Sequence, residues 1–516
     1  MRISRRNYLK ATAALSVLSF LSPRAVFAAG PKDLIVGVQV NPAQLDPLRL
    51  GTNPTYRVTA NIYDMLIRID RNNGDRLVPG LAESWTQIDA TTWDFKIRQG
   101  VLFHDGSTLT TEDVAFTFGP ERMLTDGLPS VSFSRQFFSG LQSVAAVDDR
   151  TVRFVTKQPD PLFEFRMANW TSQIISKSAF KKLNDWDKWA LSPVATGPYK
   201  VTEVVAGDRI RLVAHEGYWG GRPPFASVTF KVIPEAAGRV NALAAGDVHV
   251  ITEVTTDQTP SIKTHNGLTV VGGAINNIRT LNYGTFGGPL KDVKIRRALD
   301  LSIDRQAITE QLFGGMVGVP RGFQWDNYGD MYIEDFAKPS YDPQAAKKLL
   351  TEAGYKGELI EYRTRESYYT AEIDTAQALQ QMWQSVGLNV QLKVVENDAQ
   401  LYAQPNFAIF NGSVTSLYPD LMGSLWTTYG PNGFIRFQAK SWSNAEFDEI
   451  GQKLLTLTDR AERRKLHRRV LEIFAEIDPP SSILHETPMF YGMRSDIGFV
   501  PHKTPMMDFG PFNIVA

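Results

Sequence analysis

The chain has 516 residues, 55 basic and 55 acidic side chains, and no cysteine. The missing cysteine excludes disulfides, thiol nucleophiles, iron–sulfur clusters and cysteine-bound zinc, and no lipid anchor on an N-terminal cysteine is expected. The balanced charge leaves no electrostatic footprint for nucleic acid, and a chain of this length with 43% hydrophobic residues can fill two or three domain cores.

The N-terminus predicts an export signal. Ser4-Arg5-Arg6-Asn7-Tyr8-Leu9-Lys10 is a charged start, residues 11–21 are an apolar centre, and Val26-Phe27-Ala28 is a small-residue exit. The apolar centre is shorter than the roughly 20 residues that span a bilayer. The paired arginines mark the twin-arginine type, which carries folded proteins across the inner membrane. Cleavage is expected after Ala28, with the product in the periplasm. The segment removed carries Arg2, Arg5, Arg6, Lys10 and Arg24 and no acid, so the mature chain has five more acids than bases.

Strand-like and helix-like stretches alternate from there. Residues 33–40 read as a buried first strand between Pro31 and Pro42. Residues 93–98 alternate apolar and polar, as a strand with one wet face does. The turn His104-Asp105-Gly106 follows, and Thr110 or Thr111 caps a helix with Glu112 and Asp113 in its first turn. Residues 210–213 and 228–233 are further strands, and 238–245 is a short helix ended by Gly246. The pattern restarts with a strand over 278–283. Helices are predicted over 293–302, 343–353, 371–386 and 460–477, and strands over 359–363 and 388–395. The last helix carries an apolar stripe from Leu466 to Ile477. Its basic run from Arg463 to Arg469 reads as a solvated face, because the mature chain is acidic overall.

No catalytic signature appears. There is no G-x-S-x-G elbow, no phosphate-cradling loop and no G-x-G-x-x-G, and His215-Glu216 lacks the second histidine of a zinc helix. The seven histidines are scattered. No metal, no cofactor and no catalysis are expected. Carboxylate pairs of the kind glycosidases use arise by chance in a chain with this many acids.

Several blocks carry a resemblance. They are Gly80-Leu81-Ala82-Glu83-Ser84-Trp85, Trp93-Asp94-Phe95 continuing through His104-Asp105-Gly106 to Thr111-Glu112-Asp113-Val114, Thr196-Gly197-Pro198-Tyr199-Lys200 and Tyr218-Trp219-Gly220. Lys294-Ile295-Arg296-Arg297-Ala298-Leu299, Ser302-Ile303-Asp304-Arg305, Tyr341-Asp342-Pro343 and Glu352-Ala353-Gly354-Tyr355 follow. In this order, over nearly the whole mature length, they resemble the peptide/nickel-type solute-binding proteins of ATP-driven importers. Most of these residues read as fold residues, with Gly100 and Gly106 serving turns.

The resemblance implies an α/β, bilobal periplasmic-binding-protein fold of type II with an extra inserted subdomain. One lobe would comprise 29–60, 190–280 and 484–516, the insertion 61–189, and the other lobe 281–483. Chain crossings near Asn282 and His485 would act as hinge. It further implies the substrate-binding component of an ABC importer. Such a component captures a small solute, a short peptide first, and delivers it to a permease and its ATPase. It would be a monomer that touches the inner membrane only through that complex. A non-peptide solute stays open: an opine-like conjugate, an oligosaccharide or a chelated metal. So does another class, a periplasmic hydrolase on a binder fold.

The same resemblance implies site residues. Dipeptide-type members hold the ligand's amino group on an aspartate just before the tyrosine of a segment matching Thr415-Ser416-Leu417-Tyr418-Pro419-Asp420. Here Leu417 stands in that place, and Asp420 could substitute only in a shifted loop. A buried ammonium without a carboxylate costs several kcal/mol. An arginine after the strand over 359–363 would face the ligand carboxylate, Arg365 first and Arg363 as fallback. Tyr283, Trp325, Tyr368, Tyr369, Trp383 and Trp426 are the aromatic candidates for the cleft, most of them expected to be core.

Overall fold

A computed structural model describes residues 32–49, 51–123, 125–366 and 368–514. The predicted export signal lies outside them. The backbone of the molecule is one ten-stranded mixed sheet. From edge to edge it runs Val390–Val394, Ile360–Thr364, Ile409–Thr415, Leu268–Tyr283, Ser481–Arg494, Val250–Ile251, Asp33–Val38, Ser227–Val232, Arg209–Ala214 and Tyr199–Val205. A separate four-stranded antiparallel sheet, Ala82–Gln87, Thr92–Ile97, Thr151–Thr156 and Leu141–Ala146, is built from chain between Asp33–Val38 and Tyr199–Val205.

The sequence periodicities account for most of these elements. In Thr92–Ile97 the alternation buries Trp93, Phe95 and Ile97 against Phe154 and Phe163 and leaves Lys96 outside. Thr110 and Asp113 form a reciprocal capping box at Thr111–Thr117, satisfying backbone donors that a helix start otherwise leaves free. Helix Glu372–Ser385 buries Ala376, Leu379 and Trp383 at helical spacing.

The central pair was only half visible in the sequence. The strand expected at 278–283 is the end of Leu268–Tyr283, which pairs antiparallel along Ser481–Arg494. Its first half is disguised by Gly272 and Gly273, and its partner by Pro488. Gly272 has φ +107°, and a Cβ there would stand 2.2 Å from the Met489 carbonyl oxygen, so only glycine fits this approach. The basic run on Arg460–Glu472 also differs from expectation. Arg464 and Arg468 lie over Glu334 and Asp335, Arg469 over Glu446, while Arg463 and His467 are buried. The face is a set of ion pairs, with Arg463 turned into the core.

The block Thr196-Gly197-Pro198-Tyr199 shows why such motifs serve the fold. The Gly197 amide donates to the Ile62 carbonyl at 2.9 Å, and the Tyr199 hydroxyl donates to the Phe509 carbonyl at 3.0 Å. A Cβ on residue 197 would lie 2.4–2.6 Å from the Ile62–Tyr63 peptide. Gly197→Ala is therefore expected to lose about 1–3 kcal/mol of unfolding free energy by overpacking against backbone that cannot yield. Urea titration of the variant beside the parent checks it; an unchanged midpoint would show that the chain can step aside.

Candidate functional site: a cavity between the two halves of the sheet

A cavity of about 570 Å³ opens between residues of the first half of the molecule and residues of the second. One wall is built by Arg49, the start of helix Asn53–Thr59, and an aromatic group. In that group Tyr56 and Phe133 lie 4.5 and 5.1 Å from Trp170, ring centre to ring centre. The facing wall is the segment from Arg365 to Glu372, the turn at Asp398–Tyr402, the strand Ile409–Thr415 and the stretch to Gln438.

One buried carboxylate ties together the residues around Tyr368 and Tyr369. Glu372 accepts the amides of Tyr368 and Tyr369, the Thr364 hydroxyl and the Asn411 side-chain amide, each at 2.9 Å. Ala371, just before it, is held at φ +51°, a conformation a non-glycine residue adopts only when its surroundings impose it. The result is a fixed presentation of two tyrosines, edge to face at 4.6 Å. Each carries a guanidinium on its face: Arg365 lies 4.1 Å from the Tyr368 ring centre and Arg279 lies 3.3 Å from that of Tyr369. Arg365 also pairs with Asp398 at 3.1 Å. Burial pushes both tyrosine hydroxyls up, so they remain neutral hydrogen-bonding groups.

The strand Ile409–Thr415 adds a second feature. Its pairing with Leu268–Tyr283 runs the full length, but on the other side Ile360–Thr364 pairs only Tyr362 with Ile409 and Arg363 with Phe410. Among the described residues no strand lies beside Asn411–Thr415 on that side. This edge faces the cavity, and Asn411, Gly412, Ser413 and Thr415 line it. Extended main chain can add there as a further strand.

Of the residues singled out from the sequence, Arg365, Tyr368, Tyr369 and Leu417 come together in this cavity. The others do not. Tyr283 is fully buried, its hydroxyl bonded to Ser482 at 2.6 Å. Trp383 is fully buried on its helix and donates to the Leu299 carbonyl. Trp325 is core as well. Asp420 is buried in an ion pair with Arg463 and caps the turn at Leu421–Gly423, so it does not replace the missing anchor. Trp426 packs on Phe447 and the Gly451 backbone and lines a smaller hollow of about 250 Å³. Arg363 turns away toward Glu361 and the Ala403 carbonyl. Tyr283, Trp325, Trp383 and Asp420 share one cause, a core-facing position with no path to the cleft, whereas Arg363 and Trp426 sit on other faces. Tyr56, Phe133, Trp170, Tyr402 and Arg279 belong to the site or its immediate backing and were missed, because nothing local marks them.

Among the described residues no cluster of three His, Asp or Glu side chains is placed to hold a metal ion, and no helix is long and apolar enough to cross a membrane.

With this geometry in view, comparison places the chain. The sequence profile of "Bacterial extracellular solute-binding proteins, family 5 Middle" matches residues 76–435. The dipeptide-binding protein of Escherichia coli (strain K12) is 26% identical over 533 aligned residues, covering 97% of each chain. The crystal structure of the dipeptide binding protein from Pseudoalteromonas sp. SM9913 in complex with Met-Leu superposes with a TM-score of 0.84 at 22% identity, covering 93% of this chain and 99% of that one. NikZ from Campylobacter jejuni in complex with Ni(L-His) gives 0.81 at 20% identity, covering 93% and 98%. The fold is thus the bilobal binding-protein fold, and the chain belongs to the bacterial extracellular solute-binding proteins of family 5.

Proposed function

We propose that the interlobe cavity holds a short peptide or peptide-like carboxylate with its main chain laid along Asn411–Thr415. The chain is the solute-binding component of an ATP-driven importer. The observation that carries the ligand class is the open strand edge facing an aromatic-lined cavity. Main-chain bonding there gives affinity with little demand on side-chain identity, and the aromatic walls accept apolar side chains. The volume lies inside the roughly 300–1,000 Å³ usual for small-ligand sites.

The lobes divide as 29–60, 190–280 and 484–516 against 281–483, with 61–189 inserted. The long strands Leu268–Tyr283 and Ser481–Arg494 are the two crossings. Their pairing slips between Ala274 and Ile278 and again before Thr280, which supports bending at that level and not at Asn282. The mature protein works in the periplasm as a monomer. It is exported by the twin-arginine route with cleavage after Ala28, hands its ligand to the permease and ATPase, and returns it unaltered.

A thermal-shift screen tests the ligand class. Di- to pentapeptides are expected to stabilise the protein, by about 2.7 kcal/mol at a hundred times Kd. Stabilisation by sugars or metal complexes alone overturns the peptide reading. In the same assay Arg365→Ala is expected to weaken peptide binding about tenfold, or about 1.4 kcal/mol, while the unliganded melting temperature stays put. Its guanidinium braces Tyr368 and Asp398 at the cavity wall and supports nothing in the core. Unchanged affinity removes Arg365 from the site.

A further inference from the structure

Eight arginines are buried among the described residues. Arg57, Arg122, Arg166, Arg296, Arg305 and Arg463 each hold a carboxylate. Arg239 donates to four backbone carbonyls instead. Arg279, 3% exposed, has neither. Its Nη1 donates to the Gly412 carbonyl at 2.7 Å and the Tyr369 ring covers one face of the guanidinium. It forms no ion pair with any described residue, and its Nε and Nη2 have no protein partner there. Those two nitrogens form the edge that binds a carboxylate bidentately. Both contacts that fix the group, Gly412 and Tyr369, are cavity wall.

Among the described residues no carboxylate is within ion-pair distance of Arg279. Glu372 acts on the same Tyr369 hydroxyl in the opposite sense, but its oxygens are spent on four neutral donors. His485 on the neighbouring strand is kept neutral by burial, with the Arg279 charge pushing the same way. A buried guanidinium left in this state is costly unless an anion arrives.

The acids of the cavity show the converse. Its two lining carboxylates are Glu372, engaged as above, and Asp398, taken by Arg365. Leu417, at the place where the resemblance implies an anchoring aspartate, lines the cavity as an apolar side chain. Among the described residues the lining thus holds no unclaimed anion, while Arg279, without an ion-pair partner, lies directly behind the wall residues Gly412 and Tyr369.

We infer that Arg279 is the anchor for the ligand's carboxylate and that the site prefers peptides whose amino terminus is blocked, such as N-acylated peptides, over those with a free ammonium. This rests on the peptide reading above. An N-acyl amide loses the charge that Leu417 cannot meet and keeps an acceptor and a donor for the strand edge.

The test needs no variant at first. Pools of di- to tetrapeptides are offered to the mature protein in three end-forms: free, N-acetylated, and N-acetylated with the C-terminus amidated. Retention is read by native mass spectrometry and affinity by calorimetry. The acetylated acids are expected to bind at least tenfold tighter than both other forms. Free peptides binding as tightly as acetylated ones, or amides as tightly as acids, overturns the inference and leaves the peptide reading standing. No binding by any form overturns both. In Arg279→Gln the acid-over-amide preference is expected to collapse to about one, and in Arg279→Lys, which keeps the charge but not the fork, to shrink. A glutamine variant that keeps the preference removes Arg279 as anchor. Should that variant fail to fold, the comparison of end-forms on the parent protein still decides.

Discussion

Arg463→Met is expected to destabilise the protein by about 3–5 kcal/mol, and Asp420→Asn by somewhat less, with neither change altering ligand affinity in the folded fraction. Both partners of this pair are about 3% exposed and meet at 2.7 Å. Removing the arginine strands a buried carboxylate whose remaining donor is the Met422 amide at 2.9 Å. Removing the charge of Asp420 leaves a guanidinium that still donates to the Leu454 and Leu457 carbonyls at 2.7 Å each, which is why the order is expected. The pair joins Arg460–Glu472 to the turn that follows Tyr418, beside the apolar cluster that holds Leu421, Met422 and Val470, so the loss spreads into that cluster. Replacing both residues together by Leu and Met is expected to recover part of the loss, because the desolvation of both charges disappears at once. Urea unfolding of the single and double variants checks the ordering, and a peptide titration checks the affinity. A selective loss of binding in Asp420→Asn, with the unfolding midpoint kept, would return Asp420 to the ligand site.

That residue also shows what the sequence could and could not reveal. Leu417 and Asp420 sit three apart in one loop, the loop to which the match to related binders pointed, and Leu417 lines the cavity. Which of the two faces the cavity depended on Arg463, far along the chain, whose inward turn no periodicity distinguishes from its outward neighbours Arg464 and Arg468. The misplacement of Trp383 was avoidable: with Ala376 and Leu379 it completes a core stripe of helix Glu372–Ser385. Arg279 was not recoverable at all. It occupies a polar position in a predicted strand, and its special state lies in the lack of an acid, a fact that exists only once Gly412 and Tyr369 are brought to it. Alternation, caps and turn glycines read well because they are local. The cavity walls read poorly because they assemble from segments beginning near residues 49, 133, 365 and 398.

Acidification from pH 7 to pH 5 is expected to cost the folded state about 2–3 kcal/mol, and buried histidines set the sign. Burial holds His104 and His485 down to about 3, against an ordinary value near 6.5. His104 is wedged edge-on against His215 beside the Gly197 carbonyl, and His485 packs on Phe313 at 4.5 Å with its Nδ1 at the Glu486 carbonyl. Below pH 6.5 the unfolded chain takes up protons at these sites and the folded chain does not, so stability falls as pH falls, until about pH 3. Each histidine accounts for about 2 kcal/mol between pH 7 and pH 5. Asp508 opposes them. Burial, with Asp64 nearby, raises its carboxyl to about 6, so the folded state gains its proton first and recovers about 1 kcal/mol over the same interval. The two histidines outweigh it, and burial lowers His215, His249, His467 and His502 in the same direction. Urea unfolding at pH 7, 6 and 5 measures the slope. His485→Gln, which cannot titrate, is expected to flatten it by about 2 kcal/mol over that range, whereas a stability that rises on acidification would mean that Asp508 and Asp64 govern instead.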